Sequence, residues 1–177
     1  MLKLENKTIA RLRDRLKERG ERPSLFATDL STLAAAGDVP ADVLLRFDAL
    51  CEVMYLMASA DGKMTDDEED TLRGALRELS EGGVRTVHIR SMIEGAQTRL
   101  AKEGIDARIK AVAEKLAADE ASIDAAFVLA AAVAFADDQI ADEENDMLNK
   151  FADALGVDAA HAEGLLDEMQ AESQASP

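Results

Sequence analysis

Two stretches of the sequence gather carboxylates around a short helix-breaking turn: ASADGKMTDDEE at Ala58–Glu69 and AFADDQIADEEN at Ala134–Asn145. Each follows an apolar helical run, and acids flank each turn on both sides. Asp61 and Asp137 fall at the C-terminal end of the preceding helix, where the helix dipole disfavours negative charge. Asp66, Asp67 and Glu68 fall in a first turn, where it favours them. Asp61 and Asp137 therefore call for a compensating partner: loop amides, a Lys or Arg, or a bound cation. Two carboxylates about 5 Å apart at an effective dielectric of about 20 repel by roughly 3 kcal/mol. A crowded set of them spreads into solvent, protonates, or holds a cation. Oxygen-only donors with no His or Cys beside them suit a hard ion, Ca²⁺, Mg²⁺ or Mn²⁺, rather than Zn²⁺. The plainer alternative is a loop Asp capping an amide beside an ordinary acidic helix N-terminus.

An EF-hand is excluded at both turns. Its loop needs acidic or amide ligands at the first, third and fifth positions, whereas Asp61 is followed at those steps by Lys63 and Thr65, and Asp137 by Gln139 and Ala141. Catalysis has little to stand on. His88 lies in a helical TVHIR stretch and His161 near the start of the last expected helix, and neither is spaced to a nucleophile or a carboxylate dyad. Phosphate loops, dinucleotide fingerprints and Cys/His metal spacings do not occur in the sequence. The expectation is a protein that is not an enzyme. The single cysteine, Cys51, excludes an intramolecular disulfide, and its apolar helical surroundings mark a buried thiol.

The elements that must position these turns are helices. Hydrophobic residues make up 47% of the 177 but aromatics only 3%, with no Trp, so the core has to come from Leu, Ala, Val, Ile, Met and Phe packed between helices. The fold class expected is all-α, a compact multi-helix bundle carrying two internally repeated acidic hairpins. Periodicity predicts helices over 4–19 and 24–36, and one from Pro40 that buries Val43, Leu44, Phe47, Leu50, Cys51, Met54 and Met57, with Arg46, Asp48 and Glu52 turned off that stripe. Thr65 and Glu68 fit a capping box that opens the next helix, in which Leu72, Ala75, Leu76 and Leu79 share a face. Helices over about 84–102 and 105–118, parted by Gly104, lead to an apolar helix ending at Ala136. A helix bearing Met147, Leu148, Phe151 and Leu155 follows, and a last one runs from Asp158 to about Gln170. The longest apolar run, Ala125–Ala136, would span about 18 Å as a helix, short of the roughly 30 Å of a bilayer core. It reads as a central helix rich in Ala, and not as part of an integral membrane protein.

Reading Phe47–Leu79 against Ile123–Leu155 at a constant offset of 76 gives ten identities in thirty-three positions, among them Asp48/Asp124, Asp61/Asp137, Asp66/Asp142 and Glu68/Glu144. The ungapped register keeps each apolar, acidic and helix-breaking feature at the same step, which marks an internal repeat. Charge divides differently. Residues 1–22 carry eight Lys or Arg against four Asp or Glu, a balance of +4, and the rest of the chain carries −20. Such a body repels nucleic acid and anionic membrane and concentrates cations. The basic segment is left with three destinations: its own acidic body, a partner, or a phosphate surface. The N-terminus has charges but no apolar signal core, so the compartment expected is the cytoplasm.

Ala60-Asp61-Gly62-Lys63-Met64-Thr65-Asp66-Asp67-Glu68 resembles the recurring A-D-G-x-[apolar]-x-x-x-E motif of TerB-like tellurite-resistance domains, and Ala136–Glu144 resembles its second copy. In that copy Asp138 stands for the Gly and Ala141 for the Thr. The resemblance implies a helical domain over 40–170; outside it, periodicity and charge mark 1–39 as an N-terminal helical extension, basic at 1–22, and small polar residues mark 171–177 as a disordered tail. It implies metal ligands at Asp61 and Glu68 in the first copy and Asp137 and Glu144 in the second, with Asp66 and Asp142 as the nearest reserves. The function implied is a non-enzymatic module that binds a divalent cation and meets a protein or membrane-associated partner in metal or membrane stress. The rival is a structural interaction domain without metal, contacting partners through its basic N-terminal helix.

Overall fold

The computed structural model describes residues 10–14, 41–62, 64–136 and 141–174. From Ala41 these form seven helices: α1 (Ala41–Ala58), α2 (Asp66–Leu79), α3 (Thr86–Glu103), α4 (Ile105–Leu116), α5 (Glu120–Ala134), α6 (Asp142–Leu155) and α7 (Ala159–Gln174). No strand occurs among the described residues, and the architecture is the all-α bundle that the composition calls for. Residues 10–14 are helical, inside the first expected helix. The second, over 24–36, lies outside the described residues.

Two helices form the centre. α1 is buried without a break from Ala49 to Met57, and α5 from Ala125 to Ala134. No single stripe produces a run like that; a helix buried on every side must be wrapped, and α1 is packed by α3, α4 and α5. The α1–α5 pair is the most extensive helix contact in the fold. It can be, because Ala side chains on α5 let the two axes come close. The amphipathic helices close around this pair: α2 turns Leu72, Ala75, Leu76 and Leu79 inward, and α6 turns Met147, Leu148, Phe151 and Leu155.

Helix ends follow local chemistry. Gly104, at φ 83°, makes the break between α3 and α4, a conformation that a β-carbon would strain. Gly156, at φ 72° and ψ 25°, ends α6 in the left-handed cap. α7 continues to Gln174, past the end expected at Gln170. Ala171, Glu172 and Gln174 are all good helix formers, and Pro177 is the first residue that would stop them.

The direction of the central pair places the two turns. Arg46, in the second turn of α1, has Nη1 3.5 Å from Oδ2 of Asp119, the residue just before α5. An antiparallel α5 starting at that point would lie beside little more than the first two turns of α1, at odds with the extent of their packing. The helices therefore run the same way, and the turns after Ala58 and after Ala134 leave from the same end of the bundle. No helix among the described residues is long and apolar enough to cross a membrane.

Candidate functional site

The first acidic turn is built by its own backbone and one capping box. After α1, Ser59 donates its amide and hydroxyl to the Tyr55 carbonyl, and the Gly62 amide reaches the Ser59 carbonyl at 3.1 Å. Gly62 takes φ 135°, a conformation that L side chains rarely adopt. Thr65 then caps α2: its hydroxyl oxygen accepts from the Glu68 amide at 3.3 Å, while Glu68 Oε2 accepts from the Thr65 amide at 2.8 Å and from its hydroxyl at 3.0 Å. Asp61 and Asp66 stay exposed, and Glu68 is half-buried by its capping role.

The second turn repeats half of this. Glu144 Oε2 accepts from the Ala141 amide at 3.0 Å, but Ala141 has no hydroxyl to return a bond to the Glu144 amide. Asp142 is exposed and Glu144 half-buried. Asp137, with the rest of the turn over 137–140, lies outside the described residues. Helix boundaries match across the two halves at the offset of 76: Ala58 with Ala134, Asp66 with Asp142, Leu79 with Leu155.

Electrostatically the turns are open. Asp61, Asp66 and Asp142 form no ion pair with any described residue, although each sits in a strongly acidic stretch. The motif glutamates hold the turns in shape, which leaves the aspartates as the outward-facing oxygens. Among the described residues, no three His, Cys, Asp or Glu side chains converge in the manner that a metal ion requires. The donor chemistry fits a hard ion.

The most tightly built charged group was not singled out by the sequence. Glu52 is fully buried in α1, yet it is triply bonded: Arg108 donates Nε to Oε1 at 2.6 Å and Nη2 to Oε2 at 3.0 Å, and Arg99 donates Nε to Oε2 at 3.1 Å. Arg108 also reaches Glu103 at 2.8 Å, and Arg99 lies 3.6 Å from Asp48. The bonds to Glu52 and Glu103 raise the Arg108 pKa. Burial pushes the Asp48 carboxyl above its ordinary value against the pull of Arg99. The Arg108 hydrogen bond holds Glu103 below its own. Burial likewise raises the Cys51 thiol, whose side chain is wholly enclosed and unreactive as packed. Glu52 is off the expected stripe, as read, but faces α3 and α4 instead of water. The available signal was a carboxylate inside the unbroken apolar run Leu50–Met57, where a charge survives only if paired. His161 has its own carboxylate, Asp124, with Nε2 2.7 Å from Oδ1, and remains partly exposed as a boundary histidine does.

The fold and the turns define a class: an all-helical bundle built on two close-packed central helices, each leading into an acidic, Glu-capped turn at one end. The family model described as tellurite resistance protein TerB matches residues 47–166, more than half of the chain, and the chain belongs to that family. Comparison with curated proteins and with solved structures returned no match.

Proposed function

We propose that this TerB-family chain is a non-enzymatic, cytoplasmic binding module. It takes a hard divalent cation at its acidic turns and offers that surface to a protein or membrane-associated partner during metal or membrane stress. The observation that carries the reading is the exposure of Asp61, Asp66 and Asp142, without an ion pair to any described residue, on turns that leave one end of the bundle. Glu68 and Glu144 then act by holding each turn to its helix, and Asp137 completes the second turn as the counterpart of Asp61. An ion bound by few carboxylates and several waters binds weakly and leaves coordination positions for a partner's oxygens.

Thermal melting with Mg²⁺, Ca²⁺ and Mn²⁺ tests this. A site filled at ten times its Kd adds about 1.4 kcal/mol, which for a chain of this size raises Tm by about 3–6 °C. The rise should saturate, differ between ions, and vanish in Asp61→Asn/Asp137→Asn. A rise of equal size with monovalent salt at matched ionic strength, or one retained by the double variant, removes the cation reading. The rival reading, with the basic N-terminal helix as the outward contact, is weakened by Leu12 and Arg13, which face the body of the protein.

A further inference from the structure

Residues 10–14 are where the basic N-terminal stretch meets the acidic body. Leu12 is 6% exposed and packs into the core cluster. Arg13 beside it is 13% exposed and sets Nη1 2.8 Å from the Glu78 carbonyl oxygen and 3.3 Å from Glu78 Oε1, with Nε 3.5 Å from Glu81 Oε1. The guanidinium thus sits on the negative end of the α2 dipole, next to an apolar seat, with Glu78 and Glu81 of the body on one side and its own neighbour Asp14, whose Oδ1 is 3.1 Å from both Nε and Nη2, on the other. Glu81 is the non-glycine residue at positive φ among the described residues, at 54°. That backbone cost is accepted at the place where its carboxylate meets Arg13.

A leucine in an apolar seat with an adjoining arginine on a helix C-terminus is a recognition mode, and nothing in it requires the ligand to belong to the same chain. We propose that the C-terminal end of α2, with Glu78, Glu81 and the seat of Leu12, is a docking surface for a basic amphipathic helix of a partner protein. The chain's own residues 10–14 occupy the surface until such a helix displaces them. The −20 charge of the body outside residues 1–22 draws basic helices toward it. The tethered segment competes at an effective concentration on the order of millimolar, so a free basic helix gains the seat only when it binds more tightly or when the tethered copy is weakened.

The test uses the full chain and a fluorescein-labelled peptide of residues 1–22, followed by anisotropy at low salt. Arg13→Ala and Leu12→Ala/Arg13→Ala open the seat to different degrees, and circular dichroism melts establish that each is folded. The peptide should bind the double variant at least ten-fold more tightly than wild type, with Arg13→Ala in between. Affinity should drop at least ten-fold when Glu78→Gln/Glu81→Gln is added, or when the peptide carries Arg13→Ala. Arg13→Ala keeps Leu12 in the core and so provides a readout even if the double variant unfolds. A folded opened variant that binds the peptide no better than wild type overturns the proposal. So does binding that survives Glu78→Gln/Glu81→Gln, or a scrambled peptide of the same composition that binds equally well.

Discussion

Glu52→Ala is the sharpest perturbation that the fold offers. The wild-type carboxylate is fully buried and accepts three charge-assisted bonds, two from Arg108, whose side chain is 6% exposed, and one from Arg99. Truncation removes all three and leaves the Arg108 charge in the interior with only Glu103, itself 40% exposed, to answer it. Arg99 keeps Asp48 at 3.6 Å, and its Nη2, buried and without a well-formed hydrogen bond in the wild type, loses the nearby charge. Breaking one side of a buried pair costs about 3–5 kcal/mol, a drop in Tm on the order of 10 °C for a domain of this size. Glu52→Gln keeps an acceptor and the shape but not the charge, and should lose about half as much, near the 1.5–3 kcal/mol typical of a bond to a charged group. Glu52→Leu/Arg108→Leu removes both charges and should recover most of the loss, since apolar replacements of buried pairs are often neutral or stabilising by about 1–4 kcal/mol. Urea melts of wild type, Glu52→Leu, Arg108→Leu and Glu52→Leu/Arg108→Leu, read as a double-mutant cycle, with Glu52→Ala and Glu52→Gln melted beside them, make the comparison. A Glu52→Ala loss under about 1 kcal/mol, or a double variant worse than either single, would refute the claim that the pair is dry and mutually dependent.

Ala141→Ser restores the hydroxyl that the second capping box lacks and should stabilise the chain by about 0.5–1 kcal/mol; a urea midpoint that does not rise would mean that the α6 N-terminus is already satisfied. Asp48 predicts a pH dependence. Its folded-state pKa lies above the unfolded value, so the folded chain binds the extra proton and stability falls as pH rises from about 3.8 through the folded pKa. Asp48→Asn should therefore melt higher than wild type at pH 7 and lose that advantage near pH 3; a lower melt at pH 7 would show that attraction to Arg99 outweighs the cost of burial.

Local signals carried most of the fold. The Thr65–Glu68 box, Gly104 and the apolar periods of α2 and α6 fix helix starts, breaks and faces through interactions that span only a few residues. The capping of the helix after each acidic turn was legible for the same reason, down to the missing hydroxyl at Ala141. Boundaries slipped where nothing local marks them: α5 stops at Ala134 and leaves Phe135 partly exposed, and α3 starts at Thr86, with Val84 buried ahead of it. What sequence reading missed was long-range. Glu52 meets Arg99 and Arg108 across 47 and 56 residues, and Asp124 meets His161 across 37. Periodicity can tell that a side chain leaves one stripe, but not which neighbouring helix receives it. The seat of Arg13 on α2 is of the same kind, a contact across 65 residues that no spacing rule anticipates.

The two central helices reach equal burial with unequal material. α5 is lined with alanines from Ala125 to Ala134, broken by Phe127, Val128, Leu129 and Val133, while α1 brings Phe47, Leu50, Met54, Leu56 and Met57. Mutational tolerance should split accordingly. Trimming α1 hollows the interior, whereas α5 has few methyls to lose and instead resists any gain in bulk, which would pry the axes apart. Drift over generations would then register on one helix as a floor on side-chain size and on the other as a ceiling.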